Sequence, residues 1–148
     1  MERLDHEDLT GTLLFVDLDN FKLLNDTCGH EVGDEALMLA ASLLRDTVRP
    51  TDLVARLGGD EFAAWMDGSD AMTAAERAER LRLNAPSVFA RALPPAATRL
   101  SMSIGIAARR PGSGEDIDSI MRRADMAMYE VKRTGRSHWR VSQDEALP

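Results

Sequence analysis

Residues 53–66, LVARLGGDEFAAWM, place two runs of strand-forming residues on either side of a glycine pair. Paired glycines readily adopt the positive φ angles that tight hairpin turns require. The stretch therefore predicts a β-hairpin with Gly58, Gly59, Asp60 and Glu61 at its tip. Because hairpin tips are usually polar, these two acids taken alone are more often solvated turn residues than functional groups.

A second stretch, residues 12–18 with the sequence TLLFVDL, is a continuous apolar run that ends in carboxylates at Asp17 and Asp19. Such a run is typical of a strand that is buried on both faces. If this strand neighbours the hairpin, Asp17 lies close to Asp60 and Glu61 at one edge of the sheet. Clustered carboxylates with no base in the local sequence favour a hard divalent cation such as Mg²⁺.

The remaining pattern alternates helices with strands. We expect helices at 21–26, at 37–48, after a cap at Ser69 or Asp70, and at 117–131, and strands at 99–107 and 138–141. Gly105 inside a strand indicates close approach of another backbone segment. Residues 84–98, with three prolines, are the least defined stretch. The order predicts an α/β (α+β) domain at residues 12–142, with boundary or linker segments at 1–11 and 143–148.

The composition limits the class of protein. A chain of 148 residues suits one domain, and its net charge of −7 argues against a general nucleic-acid binder. No apolar run approaches the roughly 20 residues of a membrane span. The single cysteine, Cys28, excludes an intrachain disulfide and suits a reducing compartment, so we expect a cytoplasmic protein. Residues 122–140 nevertheless hold six basic and two acidic side chains, enough to bind an anionic ligand.

Residues 56–62, RLGGDEF, resemble the signature of the GGDEF domain, the diguanylate cyclase family. Further matches follow in the family's order: DLDNFK at 17–22, ND at 25–26, GH at 29–30, GD at 33–34, SIGIA at 103–107, RAD at 123–125 and YEVKRTGR at 129–136. The resemblance spans residues 13–141. It implies a palm-like sandwich of the nucleotidyl-cyclase type, with a central five-stranded, mostly antiparallel sheet flanked by helices.

The resemblance also implies an enzyme that condenses two GTP molecules into cyclic di-GMP and pyrophosphate. Each domain resembles a half-site for one GTP, so two chains must face each other in a homodimer that is at least transient. Attack of a 3′-hydroxyl on an α-phosphate needs metal ions that lower the pKa of the nucleophile and neutralise phosphate charge. The resemblance assigns magnesium or manganese to Asp17, the Leu18 carbonyl and Asp60. Glu61 is then a second ligand or an aid to deprotonation.

The same resemblance assigns the substrate contacts. Asn25 and Asp34 match the pair that reads guanine, and an amide with a carboxylate can satisfy that base edge. The residues that match triphosphate contacts are Lys22, Lys132 and Arg136, aided by backbone amides near Asn20 and Phe21. Gly58 and Gly59 let the backbone approach the nucleotide. Taken singly, the two lysines are more often solvated surface residues.

Residues 49–52, RPTD, form an R-x-x-D motif in the register where many family members bind their product. Arg80 matches the position of a second product-binding arginine. The planar fork of arginine can grip a phosphate or the Hoogsteen edge of guanine with two hydrogen bonds. The motif predicts inhibition by cyclic di-GMP. On the residues alone, Arg49 can equally complement a helix C-terminus while Asp52 caps a turn.

The start of the chain departs from the family pattern. Residues 8–11, DLTG, resemble part of the turn that usually precedes a helix and the first strand, but here they abut the strand. We therefore expect a chain that is either truncated or lacks the usual start. Flanking sensor or phosphodiesterase domains are further partners that the resemblance leaves open. The alternative function is a non-catalytic module that binds GTP or cyclic di-GMP. A cyclase or polymerase for another nucleotide is disfavoured by Asn25 together with Asp34.

Overall fold

The computed structural model describes residues 10–142. Its elements, in chain order, are β1 (Gly11–Asp19), α1 (Phe21–Cys28), α2 (His30–Thr47), β2 (Leu53–Gly58), β3 (Glu61–Asp67), α3 (Ala71–Ala92), β4 (Ser101–Arg109), α4 (Ile117–Arg133) and β5 (Trp139–Val141). A short 3₁₀ helix, Pro95–Arg99, joins α3 to β4. Of the expected boundary segments, only Thr10 and Gly11 lie within the described residues. Asp8 and Leu9 of the DLTG stretch lie outside them.

The five strands form one sheet in the order β2-β3-β1-β4-β5. Strand β1 lies at the centre and runs antiparallel to both β3 and β4, and β2 pairs with β3 as the expected hairpin. The edge strand β5 runs parallel to β4. This arrangement confirms the predicted five-stranded, mostly antiparallel sheet flanked by helices.

The side chains of β1 alternate between two hydrophobic cores, as expected of a strand that is covered on both faces. The larger core, beneath α1, α2 and α3, contains the side chains of Leu14, Val16 and Leu18. The smaller core, beneath α4, takes Leu13 and Phe15. The same alternation places Asp17 and Asp19 on the α4 face. The apolar pattern of β1 therefore directs both carboxylates towards one helix.

Residues 84–98, the stretch that the sequence defines least, are mostly helical in the structure. Helix α3 continues through Pro86 to Ala92, because its buried positions keep helical spacing across the proline, from Leu81 and Ala85 before it to Phe89 after it. Burial of that face outweighs the one backbone hydrogen bond that proline removes. The start of α3 agrees with the sequence, since Asp70 caps the helix by accepting a hydrogen bond from the Thr73 amide at 2.8 Å.

Within residues 10–142, no helix combines the length and apolar character needed to cross a membrane.

The predicted close approach at Gly105 is confirmed. Gly105 pairs with Phe15 across β4 and β1, on the face that α4 covers. A Cβ atom there would overlap the carbonyl oxygen of Ala124 and lie 2.6 Å from the amide nitrogen of Met128. The missing side chain thus lets the backbone of α4 pack directly on the sheet.

We expect Gly105→Ala to lower the free energy of unfolding by about 3 kcal/mol, because the new methyl group meets helix backbone that cannot yield. Urea denaturation monitored by circular dichroism measures the change. The matched control is Gly112→Ala, at a glycine with open space around it and a φ of 74°, which should cost only about 1 kcal/mol. Equal losses in the two variants would contradict close packing at Gly105.

Candidate active site

The hairpin tip is held against the end of β1. Gly58 and Gly59 take φ angles of 140° and 51°, which L side chains rarely adopt. Arg56 clamps the turn by donating from Nε and Nη2 to the Gly59 carbonyl at 3.0 and 2.7 Å. The amide of Leu18 donates to the carbonyl of Asp60 at 3.2 Å. These bonds fix Asp60 beside the last residues of β1.

Asp17 is the carboxylate at the centre of this junction. It lies directly opposite Glu61 in the β1–β3 register, so the two side chains share the α4 face. Its Oδ1 atom is buried and accepts no hydrogen bond, and its Oδ2 lies 3.0 Å from Lys132 Nζ. Burial, opposed by Lys132 and reinforced by Asp60, raises the pKa of Asp17 to about 7. Asp17 Oδ1 is thus a buried acceptor without a donor at the centre of the junction.

Lys132, from α4, bridges Asp17 and Asp19. Its Nζ atom lies 3.0 Å from Asp17 Oδ2 and 3.0 Å from Asp19 Oδ1. Burial alone would lower the pKa of Lys132, but the charges of the two carboxylates outweigh it and raise the pKa above its usual value. The neutralising base that the local sequence does not contain therefore comes from the other end of the chain.

Asp19 is fully buried and forms a second set of contacts that sequence reasoning missed. Its oxygens accept hydrogen bonds from the hydroxyls of Ser101 and Ser103, at 2.6 and 2.7 Å, and from the Ser137 amide at 3.1 Å. The available signal was its spacing of two residues after Asp17, which puts both acids on one face of a strand.

A cavity of about 650 Å³ opens beside these groups, between the end of β1 and α4. Asp17, Glu61 and Lys132 line it, together with Asp125 and Tyr129 of α4. Burial raises the pKa of Glu61, and the charges of Asp125 and Asp60 add to this effect while Lys132 opposes it. Asp125 was quoted in the family resemblance but given no role in the site.

The two residues predicted to read guanine lie on neighbouring helices. Asn25 of α1 has a buried Oδ1 atom without a hydrogen-bond partner, and Asp34 of α2 is exposed. A Cβ atom at Gly33 would overlap Asn25 Oδ1 and lie 3.4 Å from Phe21 Cζ. Gly33 thus provides the space that the Asn25 amide occupies, a role that the sequence reasoning did not assign.

The remaining predicted phosphate contacts lie at two turns. Asn20 precedes α1 with a φ of 66° and is anchored by its Nδ2, which donates to the Arg99 carbonyl at 2.9 Å. Lys22 is exposed and pairs with Asp26 at 3.2 Å, away from the β1 carboxylates. Arg136 is exposed in the turn after α4, also with a φ of 66°.

The R-x-x-D motif forms an ion pair within itself. Arg49 donates from Nη2 and Nε to Asp52 at 2.7 and 3.2 Å, and Nη2 also donates to the Asp67 carbonyl. The Asp52 carboxylate accepts the Arg49 amide as well, at 2.9 Å. Although burial raises the pKa of Asp52, the bonds and charge of Arg49 hold it below its usual value. Arg80 is exposed on α3.

Across the described residues, no three acidic, histidine or cysteine side chains are grouped closely enough to form a ready-made metal site. The structure does bring Asp17, Glu61 and Lys132 together around one cavity and fixes Asp60 beside them. It places Asn25 and Asp34 on α1 and α2, and the R-x-x-D motif before β2. A mostly antiparallel sheet with carboxylates at the end of its central strand, beside an acidic hairpin, defines a palm-like α/β domain of the nucleotidyl-cyclase type.

Comparisons with known proteins agree with this class. The family model described as "Diguanylate cyclase, GGDEF domain" matches residues 1–138. The bifunctional diguanylate cyclase/cyclic di-GMP phosphodiesterase MucR of Pseudomonas aeruginosa is 41% identical over 133 residues, which cover 88% of this chain and 19% of MucR. The response regulator PleD of Caulobacter vibrioides is 38% identical over 125 residues, covering 84% of this chain and 27% of PleD.

Solved structures give the same result. The crystal structure of the GGDEF domain of DgcB from Caulobacter crescentus, in complex with c-di-GMP, is 35% identical with a TM-score of 0.79. The match covers 91% of this chain and 79% of that one. The chain therefore belongs to the GGDEF-domain family of diguanylate cyclases. It spans only about a fifth to a quarter of the length of MucR and PleD.

Proposed function

We propose that this domain is a diguanylate cyclase half-site that condenses two GTP molecules into cyclic di-GMP and pyrophosphate. The observation that carries the proposal is the Asp17 carboxylate near Asp60, whose buried Oδ1 has no hydrogen-bond partner while its Oδ2 pairs with Lys132 at 3.0 Å. Its relatives support the same conclusion, since they include named diguanylate cyclases and a GGDEF domain bound to c-di-GMP.

The donor set at the end of β1 suits a divalent metal ion. A buried carboxylate oxygen without a hydrogen-bond donor is a poor end state for a folded protein but a good ligand for a hard cation. Asp17, the Leu18 carbonyl and Asp60 would hold magnesium or manganese, with Glu61 beside them. Such an ion, when bound, lowers the pKa of a ribose hydroxyl and neutralises phosphate charge.

The remaining residues would bind and orient the nucleotide. Lys132 and Arg136 would contact the triphosphate from the α4 side. Lys22, with the backbone amides near Asn20 and Phe21, would contact it from the α1 side. The glycine turn, Gly58 and Gly59, lets the nucleotide approach the hairpin backbone. Asn25 and Asp34 would read the guanine edge, with the Asp34 carboxylate accepting from the N1 and N2 hydrogens of the base.

The reaction joins two such half-sites. The 3′-oxygen of one GTP bonds to the α-phosphorus of the other, the bond to the bridging oxygen breaks, and pyrophosphate leaves. The hydroxyl proton passes to a base, and we take Glu61, which lies opposite Asp17 in the sheet, as the group that assists this deprotonation. A second, symmetric transfer closes the ring and releases a second pyrophosphate. Because one chain offers one set of these groups, the proposal requires a homodimer, at least transiently, in the cytoplasm where GTP is abundant.

The R-x-x-D motif would bind the product and inhibit the enzyme. Arg49 is already held by Asp52 and the Asp67 carbonyl, so its guanidinium is oriented before a ligand arrives. Its side chain is still 44% exposed, which leaves surface for a phosphate or a guanine edge. Exposed Arg80 would supply a second contact. The bifunctional relative MucR supports flanking phosphodiesterase or sensor domains as further partners.

Incubation of the domain with GTP and Mg²⁺ over a series of protein concentrations tests the proposal. We expect cyclic di-GMP, identified by chromatography and mass spectrometry, with a rate that rises faster than linearly because two chains must meet. Glu61→Gln should lower turnover by about 100-fold or more, the usual scale for loss of a proton-transfer group, with an unchanged melting temperature. GTP binding without product at any concentration would support the non-catalytic module instead.

Product inhibition is tested with Arg80→Ala rather than with Arg49. Removal of Arg49 would leave the buried carboxylate of Asp52 unpaired and unsettle the fold, whereas Arg80 is exposed. We expect the concentration of cyclic di-GMP that halves the initial rate to rise by about tenfold, the loss of one charge-assisted contact. Arg91→Ala, at another exposed arginine of the same helix, is the control and should leave inhibition unchanged. Identical inhibition of all three proteins would refute Arg80 as a product contact.

A further inference from the structure

Asp19 is a buried acid to which the proposed function gives no role. None of its side-chain surface is exposed, yet it carries a carboxylate, and burying a charge costs free energy unless donors surround it. Four donors do so: Lys132 Nζ, the hydroxyls of Ser101 and Ser103, and the Ser137 amide. They come from α4, from β4 and from the turn that follows α4.

Two of these donors, Lys132 and the Ser137 amide, lie at the two ends of the segment that carries the candidate phosphate-binding cations. Lys132 lies in the last turn of α4, and Ser137 ends the turn that contains Arg136. Both Arg136 and Ser137 adopt left-handed backbone conformations, with φ angles of 66° and 52°. Such conformations are unfavourable for residues other than glycine and persist where surrounding bonds hold them. Here the Arg136 amide bonds to the Val131 carbonyl at 2.9 Å, and the Ser137 amide to Asp19.

The rigid side of this arrangement is the sheet. Asp19 lies directly opposite Ser101 on β4, and Asp17 lies opposite Ser103, so both hydroxyls come from paired strands. The carboxylate of Asp19 is thus fixed by β4 and in turn fixes the end of α4. An ammonium group has three donors, and Lys132 directs two of them to Asp17 and Asp19.

We propose that Asp19 is a positioning residue, which ties Lys132 and the turn bearing Arg136 to the end of β1 and so places both cations for the triphosphate. This inference rests on the proposed function, because it takes Lys132 and Arg136 as the phosphate-binding cations. Asp19 does not touch the nucleotide; it acts through the lysine and the turn. Loss of its charge would leave Lys132 paired with Asp17 alone and would weaken the bond that holds the left-handed turn.

The test compares a ligand that has phosphates with one that has none. Calorimetry with α,β-methylene-GTP in the presence of Mg²⁺, and NMR titration with guanosine, give the affinity for each. We expect Asp19→Asn to lower the affinity for the triphosphate analogue by about tenfold and to leave the affinity for guanosine unchanged. The ratio of the first affinity to the second therefore falls. If Asp19 has a purely structural role, the affinities for both ligands fall together or neither falls, and either result would overturn the proposal.

A matched control uses a second carboxylate in an ion pair, the largely buried Glu115, which lies just before α4. Glu115 pairs with Arg123 at 2.7 Å and accepts from the Ser119 hydroxyl at 3.0 Å, two partners in the first half of α4. Glu115→Gln should leave the affinity ratio unchanged. If Asp19→Asn fails to fold, the double variant Ser101→Ala with Ser103→Ala removes two of the four donors while keeping the charge. It should lower the same ratio by about threefold.

Lys132→Met separates failure of this inference from failure of the proposed function. If Lys132 binds phosphate, Lys132→Met alone lowers triphosphate affinity, and Asp19→Asn added to it has a smaller effect than in the native protein. Loss in Lys132→Met without loss in Asp19→Asn overturns only the positioning role. A native protein that binds α,β-methylene-GTP no more tightly than guanosine overturns the phosphate site itself, and the inference with it.

Discussion

Two largely buried carboxylates at the end of β1 need a cation to neutralise them, and this requirement is the constraint on which the rest of this domain depends. Asp17 and Asp19 lie two residues apart on one face of the central strand, and Lys132 bridges them at 3.0 Å from each. Without that cation, burial of the two charged carboxylates would be strongly unfavourable. Helix α4 must therefore end where its lysine can reach the strand.

The sheet and its helices meet that requirement through backbone contacts more than through side chains. Gly105 lets α4 pack directly on β4, and the amide of Leu18 ties the hairpin to β1 through the Asp60 carbonyl. Both contacts draw a charged segment towards the same point, a cationic helix end on one side and an acidic turn on the other. Opposite charges gathered in this way, with one carboxylate oxygen left unpaired, suit a ligand that itself combines a divalent cation with phosphates.

The parts of this arrangement that sequence alone predicts are those encoded locally. The apolar run of β1, the glycine pair of the hairpin and the Asp70 cap each depend on neighbouring residues, and the structure agrees with all three. Pro86 was misleading because tertiary burial of α3 outweighs the local preference of proline. The bridge by Lys132 joins residues more than one hundred positions apart, so no local pattern contains it. The ligand assignments carried by family resemblance remain predictions, since they concern partners rather than the chain.

The central claim is that the carboxylates at the end of β1 hold a divalent cation together with the nucleotide. Its most direct test is the anomalous difference map of a crystal grown with Mn²⁺ and α,β-methylene-GTP. The account predicts a Mn²⁺ peak within coordination distance of Asp17 and Asp60, in contact with the phosphates, and no such peak in Asp17→Asn crystals. Nucleotide bound at full occupancy with Mn²⁺ elsewhere, or with the peak unchanged in Asp17→Asn, would contradict it.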